Sequence, residues 1–247
     1  MRERLEQLKY AALFTGGKDS TRAIHWALDA GLNVKYLVTM IPERIDSWMF
    51  HASTLNVTDL AAEALGIPLV KGKTKGVKEE EVEDLKNVLA KLDVDGVISG
   101  SVASVYQKSR LERICRELGL RLLTPLWGYD QEKLVEEVLR LGYDVLIVAV
   151  SALGLDGRWL GRRLDQQAFT ELKKLHEKYG VSLTFEGGEG ETLVLDCPIY
   201  RKRLEILEYD TVWDGRAGYL IVRKARLVAK GSLYWRETGG KVMEGLS

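Results

Sequence analysis

Six residues near the start of the chain, Thr15 to Ser20, have the types and the spacing needed to hold an anion. They read Thr-Gly-Gly-Lys-Asp-Ser, follow a short apolar run and precede a helical pattern. Glycines let the backbone curl so that the first N–H groups of the helix point at one spot, where the helix dipole also favours negative charge. Lys18 adds a positive charge, and two hydroxyls add donors. The pattern predicts a phosphate or pyrophosphate site made by Thr15, Gly16, Gly17, Lys18, Asp19 and Ser20.

The spacing of this phosphate loop excludes two common phosphate-binding motifs. A Walker A loop places four residues between its first glycine and Gly-Lys-Ser/Thr, and a dinucleotide fingerprint needs G-x-G-x-x-G. The loop instead resembles the S-G-G-K-D-S signature of the N-type ATP pyrophosphatases, with Thr15 in place of serine. That resemblance implies cleavage of ATP between its α and β phosphates, with the loop gripping the pyrophosphate. An ordinary polar turn is the alternative interpretation, since Gly-Gly and Lys-Asp are common in loops.

The first half of the chain alternates predicted strands and helices, which indicates a mostly parallel sheet covered on both faces. Ligands of such sheets bind beyond the carboxyl ends of the strands. Thr15 and Gly100 each follow a predicted strand and Met40 ends one, so we expect all three at one edge. The predicted strands are Tyr10–Phe14, Val34–Met40, Pro68–Lys71, Val94–Ser99 and Leu120–Thr124, and the predicted helices are Ser20–Ala30, Ser53–Leu65, Val77–Leu92 and Ala103–Leu118.

The pattern changes near Pro125. Downstream we expect helices over Asp130–Leu141 and Leu164–Tyr179, and a very apolar strand over Val145–Val150. The runs Leu193–Leu195, Leu204–Thr211 and Tyr219–Ala229, with Asp214-Gly215 as a hairpin turn, favour antiparallel pairing. The predicted fold class is α/β, with a HUP-like (Rossmann-like) parallel sheet domain over residues 1–125, a second, smaller α+β domain over residues 126–230, and a mobile tail over residues 231–247.

Composition limits the function classes. The chain has 36 basic and 36 acidic residues and a net charge of zero, which argues against nucleic-acid binding as its main role. Two cysteines make no disulfide framework, and three scattered histidines do not suggest a zinc site. No signal-like segment begins the sequence, and no apolar run approaches the roughly 20 residues that span a bilayer. We therefore expect a cytoplasmic protein that binds no membrane, and a homodimer is left open.

Two further segments follow predicted strands. In Gly100–Gln107, small residues would let a ligand approach the backbone, while Tyr106 and Gln107 could form hydrogen bonds with it. The alternative is an N-capped helix without a ligand. His51 closes the segment Asp46–His51, which mixes aromatic residues with one histidine; an ordinary packed or exposed histidine is equally consistent with the sequence.

The acidic segment, Glu186–Thr192, places three glutamates among three glycines. Carboxylates this close repel one another, so a functional site explains the segment better than an incidental loop, although a solvent loop would tolerate it. Hard oxygen ligands suit Mg²⁺, which ATP would bring. An ammonium ion or a quaternary ammonium group would also be attracted. The three carboxylates belong to Glu186, Glu189 and Glu191.

Together these segments resemble the diphthine–ammonia ligase family. The matching pattern runs through the phosphate loop, Ser47–His51, the G-x-x-x-S-x-Y-Q of Gly100–Gln107, Pro125-Leu126-Trp127, Asp130-Gln131 and the glutamate-glycine motif before Asp196-Cys197-Pro198. It extends in the right order from residue 8 to residue 225. Three positions depart from the family: Thr15 replaces serine, Gly190 stands where Phe or Tyr is usual, and Glu191 where His is frequent.

The resemblance implies that ATP adenylates the carboxylate of diphthine, a modified histidine on elongation factor 2, and that ammonia then displaces AMP to leave diphthamide. It implies that the phosphate loop holds the β and γ phosphates, with Lys18 neutralising charge there and Asp19 as a candidate Mg²⁺ ligand. Met40 and Gly100 would frame the adenosine. The expected substrate-binding residues are His51, Ser104, Tyr106, Gln107, Trp127, Glu186, Glu189, Glu191 and Thr192, among which the glutamates and the aromatic rings would attract the trimethylammonium group.

The positions of the two cysteines indicate which compound donates the nitrogen atom. A glutamine-dependent enzyme needs a nucleophilic cysteine, whereas Cys115 lies within a predicted helix and Cys197 precedes a proline. Free ammonium is therefore the expected donor. The rival functions are another ATP pyrophosphatase acting on tRNA, of the lysidine or thiouridine type, a non-catalytic nucleotide-binding module, and an interaction protein in which the loop merely persists.

Overall fold

Five parallel strands form the first sheet of the computed structural model, which describes residues 8–42, 54–74 and 78–231. The strands lie in the order β3-β2-β1-β4-β5, and four helices connect them. This confirms the predicted parallel sheet and its alternating pattern. In chain order the elements are β1 (Lys9–Leu13), α1 (Lys18–Asp29), β2 (Asn33–Pro42), α2 (Thr54–Leu65), β3 (Leu69–Thr74), α3 (Lys78–Leu89), β4 (Gly96–Ile98), α4 (Val105–Leu118) and β5 (Arg121–Leu123).

Helices cover both faces of this sheet, and successive side chains of β1 and β2 pack against the helices of opposite faces. Ala12 and Leu37 belong to an apolar cluster that includes residues of α1 and α2. Their neighbours Ala11 and Val38 belong to a second cluster, which includes residues of α3 and α4. Because successive strand residues point to opposite faces, two consecutive apolar residues of one strand contribute to both clusters.

The second half of the chain forms an antiparallel sheet of four strands in the order β7-β6-β9-β8. The β8–β9 hairpin turns at Asp214, whose carboxylate accepts hydrogen bonds from the N–H groups of Arg216 and Ala217 at 2.8 Å each, so the predicted hairpin is confirmed. Its elements are α5 (Gln131–Arg140), β6 (Asp144–Val150), a 3₁₀ turn (Gly157–Trp159), α6 (Gln166–Tyr179), a second 3₁₀ turn (Glu186–Gly188), β7 (Gly190–Asp196), β8 (Lys202–Trp213) and β9 (Gly218–Ala229).

Apolar packing is continuous between the two sheets. One cluster joins Ala12 and Ile24 of the first half to Leu134, Ile147 and Leu193 of the second. The fold class is therefore as predicted, a Rossmann-like parallel sheet with an additional α+β region, while a domain boundary near residue 125 stays a prediction. The tail expected over residues 231–247 lies outside the described residues, except for residue 231.

Candidate functional site

The phosphate loop joins β1 to α1 and is braced by its own hydroxyl groups. The Thr15 Oγ1 and Ser20 Oγ atoms lie 3.2 Å apart, and Ser20 Oγ donates to the carbonyl of Gly17 at 3.1 Å. Gly17 N–H in turn donates to Thr15 Oγ1 at 3.3 Å. Gly16 has φ of +79°, a conformation that favours glycine. The two hydroxyls predicted as donors to a ligand are thus engaged in holding the loop's shape.

A second turn packs directly on the start of α1. A Cβ atom at Gly100 would lie 2.6 Å from the carbonyl oxygen of Asp19 and 2.7 Å from the backbone nitrogen of Ser20. Only glycine permits this approach, so the turn after β4 and the phosphate loop form one surface. The predicted meeting of Thr15 and Gly100 at the carboxyl edge of the sheet is what the structure shows.

The acidic segment reaches the phosphate loop from the second half of the chain. Lys18 N–H donates to Thr192 Oγ1 at 3.1 Å. The Lys18 side chain is buried, and its Nζ donates to the carbonyl of Thr184 at 2.6 Å and to Asp19 Oδ2 at 2.9 Å. Gly16 also accepts a hydrogen bond from Val194 N–H at 2.8 Å. The two motifs found separately in the sequence therefore form a single site.

A cleft of about 760 Å³ opens where these segments meet. Its wall is built from the phosphate loop, the ends of β2 and β4, helices α3 and α4, and the acidic segment. Glu189, Gly16, Ser104 and Trp127 are not among the lining residues, and His51 lies outside the described residues. The predicted site residues that line the cleft are Thr15, Gly17, Lys18, Asp19, Ser20, Met40, Gly100, Tyr106, Gln107, Glu186, Glu191 and Thr192.

The three glutamates of the acidic segment have different surroundings. Glu189 accepts the N–H of Ser182 at 2.5 Å and so holds its own loop. Burial, and then the negative charge of Asp19, raise the pKa of Glu186, while the Lys18 charge acts in the opposite direction. Glu191 remains accessible from the cleft, yet enough protein surrounds its carboxyl group that desolvation raises its pKa to about 7. Of the three carboxylates predicted to share one role, those of Glu186 and Glu191 therefore line the cleft, whereas that of Glu189 holds its own loop.

Ser104 and Trp127 have local partners away from the cleft wall. Ser104 is the N-cap of α4 and accepts the N–H of Gln107 at 3.3 Å, which is the alternative that the sequence left open. The Lys108 ammonium lies 4.5 Å from the centre of the Trp127 ring and occupies that cation–π position. Tyr106 lines the cleft, but the guanidinium carbon of Arg110 lies 3.3 Å from its ring centre. One face of each ring is thus already covered by a cation of the protein.

Sequence reasoning missed Thr184, Phe185 and Arg110, all of which line the cleft. Phe185 has φ of +60°, rare for a residue other than glycine, and its ring centre lies 5.7 Å from Lys18 Nζ. No short-range pattern marks these first two residues. Arg110 could have been found, because it lies four residues after Tyr106 on a helix that starts at the ligand edge. Strand β7 also begins at Gly190, three residues before the predicted start, because Gly190 pairs with Val150.

Asp19 fits a role at a metal ion bound together with phosphate. Its Oδ1 atom is buried and has no hydrogen-bond partner, while Oδ2 accepts from Lys18. No cluster of three or more potential metal ligands occurs within residues 8–42, 54–74 and 78–231. A Mg²⁺ ion here would therefore take most of its oxygen ligands from phosphates and water, as this ion commonly does.

Both cysteines are buried. Burial raises the pKa of the Cys115 thiol to about 11 and that of Cys197 to about 12, so neither forms the thiolate that a nucleophile requires. This agrees with the expectation drawn from their sequence context. In the described part of the chain, none of the helices combines the length and the apolar character of a membrane span.

Family models and named relatives assign the chain to the same family. The model of the diphthamide synthase N-terminal domain matches residues 8–122, and that of the C-terminal domain matches residues 130–228. The human protein named diphthine–ammonia ligase is 36% identical over 220 residues, which cover 80% of this chain and 82% of that protein. Its zebrafish (Danio rerio) namesake is 35% identical over 227 residues, 83% of this chain and 89% of the relative.

A fission yeast (Schizosaccharomyces pombe) relative of the same name is 31% identical over 249 residues, which are 93% of this chain but 41% of that longer protein. The two domain models cover both halves of the chain, and the identities exceed 30% over most of its length. The chain therefore belongs to the diphthamide synthase family, an enzyme family whose named relatives are ligases that form a C–N bond.

Proposed function

We propose that this protein converts diphthine on elongation factor 2 to diphthamide, using ammonium as nitrogen donor and cleaving ATP to AMP and pyrophosphate. The observation that supports this most is the junction of the phosphate loop with the acidic segment at Lys18. Its backbone N–H binds Thr192, and its ammonium binds Thr184. A site for a polyphosphate and a set of carboxylates suited to a cation therefore open into one cleft, as amidation of a cationic carboxylate substrate requires.

The first step activates the carboxylate of diphthine. A carboxylate oxygen attacks the α phosphorus of ATP, the bond from that phosphorus to the α–β bridging oxygen breaks, and pyrophosphate leaves, which produces an acyl-adenylate. Lys18 neutralises charge that develops on the leaving group, the kind of electrostatic stabilisation that often dominates catalysis. Two of its three ammonium donors are engaged with Thr184 and Asp19, so one remains for a phosphate oxygen.

The second step forms the amide. Ammonia attacks the acyl carbon, AMP leaves with the former carboxylate oxygen, and the nitrogen loses a proton to give the neutral amide. Ammonium must release a proton before it can attack, and Glu191 is a cleft-lining carboxylate whose raised pKa of about 7 suits proton exchange near neutral pH. Glu191 and Glu186 also supply negative charge for the trimethylammonium group of diphthine. Tyr106, Gln107 and Thr192 complete the predicted substrate wall.

Mg²⁺ bound with ATP would neutralise phosphate charge, and Asp19 Oδ1 is the oxygen that this chain would contribute. Met40 and Gly100 line the part of the cleft expected to hold adenosine. Glu189, Ser104 and Trp127 leave the proposed set of substrate contacts, because they are absent from the cleft wall.

The test is a single incubation of the purified protein with ATP, Mg²⁺, ammonium and elongation factor 2 that carries diphthine. We expect AMP, pyrophosphate and, by mass spectrometry, the replacement of one OH by NH₂ on the modified histidine. Omission of ammonium should stop formation of the amide, and glutamine should not replace it. AMP formed only in the presence of tRNA would favour the lysidine or thiouridine type of enzyme and contradict the proposal. Absence of any ATP turnover would favour a binding module.

A further inference from the structure

Arg110 is a cationic side chain in the cleft wall with no role in the reaction so far described. It lies on α4, one helical turn after Tyr106, and its guanidinium is stacked on that ring at 3.3 Å. Its Nη1 also donates to the Tyr106 carbonyl at 3.4 Å. Stacking and hydrogen bonding fix the orientation of the planar group, which lowers the entropy lost when it binds a ligand.

The charges of the cleft wall show why such a group is needed. The reactants bring the phosphates of ATP and a carboxylate, all anionic, into the cleft. Lys18 is already in contact with Asp19 and Thr184 at the phosphate loop. Among the described residues that line the cleft, the cationic side chains are Lys18 and Arg110, and the carboxylates are Asp19, Glu81, Glu186 and Glu191.

We infer that Arg110 binds an oxyanion of the reacting pair, a non-bridging oxygen of the α phosphate or the carboxylate that attacks it. The inference rests on the proposed function for the identity of the pair and on the structure for the position of Arg110. Lys18 serves the leaving pyrophosphate from the phosphate loop, whereas Arg110 lines the cleft from α4, the helix that begins within Gly100–Gln107. A guanidinium presents two parallel donors to a phosphate or carboxylate, a geometry that lysine lacks.

The test compares Arg110→Gln with Arg113→Gln, a matched change of an exposed arginine on the same helix that does not line the cleft. Calorimetry with AMP and with adenosine measures the contribution of the α phosphate without any need for turnover. If Arg110 binds that phosphate, Arg110→Gln should weaken AMP binding about tenfold or more, the range for a charge-assisted hydrogen bond, and leave adenosine unchanged. The AMP affinity of Arg110→Lys should lie between that of the wild type and that of Arg110→Gln.

If Arg110 binds the carboxylate instead, AMP binding stays at the wild-type value and the KM for diphthine-bearing elongation factor 2 rises by a similar factor. Either pattern supports the inference, and the pair of measurements tells the two oxyanions apart. Equal losses for AMP and adenosine would show a merely structural role and overturn it. The inference would also be overturned if Arg110→Gln had wild-type values for both AMP binding and the KM for diphthine-bearing elongation factor 2. In both cases amidation by the wild-type protein would leave the proposed function intact.

Discussion

Two glycine-rich segments meet at the cleft, and they are held in place in different ways. The phosphate loop is positioned locally: β1 leads into it, α1 leaves it, and its own hydroxyls brace it within six residues. The acidic segment is positioned by contacts that span the chain, such as the hydrogen bond between Lys18 and Thr192, 174 residues apart. A local motif thus shapes the proposed phosphate site, whereas tertiary structure decides which carboxylates lie beside it.

The largest effect should come from removing the Lys18 ammonium, which binds Asp19 and the carbonyl of Thr184 beside the junction of the two segments. Lys18→Met keeps most of the buried apolar stem and removes the ammonium, so we expect AMP formation to fall about 100-fold to 1,000-fold, as for loss of a main electrostatic contact. Lys173→Ala, a surface lysine paired with Glu132, is the control and should keep full activity. Near-normal turnover by a folded Lys18→Met protein would contradict the comparison, because the phosphate loop would then not depend on its ammonium for the phosphate chemistry.

Gly100→Ala tests the close approach on which the phosphate loop depends. The new methyl group would meet backbone atoms of Asp19 and Ser20, which cannot move away as a side chain could. We expect a loss of about 1–3 kcal/mol in the free energy of unfolding, typical of overpacking, together with weaker ATP binding. Gly231→Ala, where the added atom meets nothing within 4 Å, should change neither quantity. Denaturant titration and nucleotide binding measure both.

The glutamates test whether the acidic segment is divided as the structure indicates. Glu191→Gln should raise the KM for ammonium or for elongation factor 2 about tenfold, comparable with loss of a charged contact, and leave ATP binding unchanged. Glu189→Gln should instead lower the free energy of unfolding by about 1 kcal/mol, since it weakens the bond to Ser182, without changing either KM. Identical kinetic defects in the two variants would show that they share one role after all.

A smaller effect concerns pH. Glu191 has a pKa of about 7, so it is neutral below that pH and negatively charged above it. Because the pKa is raised relative to the unfolded chain, Glu191 favours folding least above pH 7, and its contribution to stability declines as the pH rises towards 7. The melting temperature of the wild type relative to that of Glu191→Gln should therefore fall from pH 5 to pH 8. A difference that does not vary with pH would refute the raised pKa.

The sequence predicted the parts of the molecule that local rules determine. The parallel sheet, the loop after β1 and the turn at Gly100 follow from periodicity and from glycines at strand ends. It did not separate Glu186, Glu189 and Glu191, because their surroundings depend on Ser182, Asp19 and the depth of the cleft. Trp127 was expected to bind substrate but does not line the cleft, and nothing in the sequence shows that Lys108 lies over its ring. Phe185 was not predicted as a site residue, because its left-handed backbone conformation arises only in the folded loop.

Exchange of labelled pyrophosphate into ATP tests the central claim most directly, because it isolates activation of the carboxylate from amide formation. With diphthine-bearing elongation factor 2 and Mg²⁺, we predict exchange that needs no ammonium and is absent from Lys18→Met. Unmodified elongation factor 2 should support none. Exchange that is independent of the diphthine carboxylate, or ATP cleaved to ADP and phosphate, would contradict the account of a phosphate loop and an acidic segment acting on one acyl-adenylate.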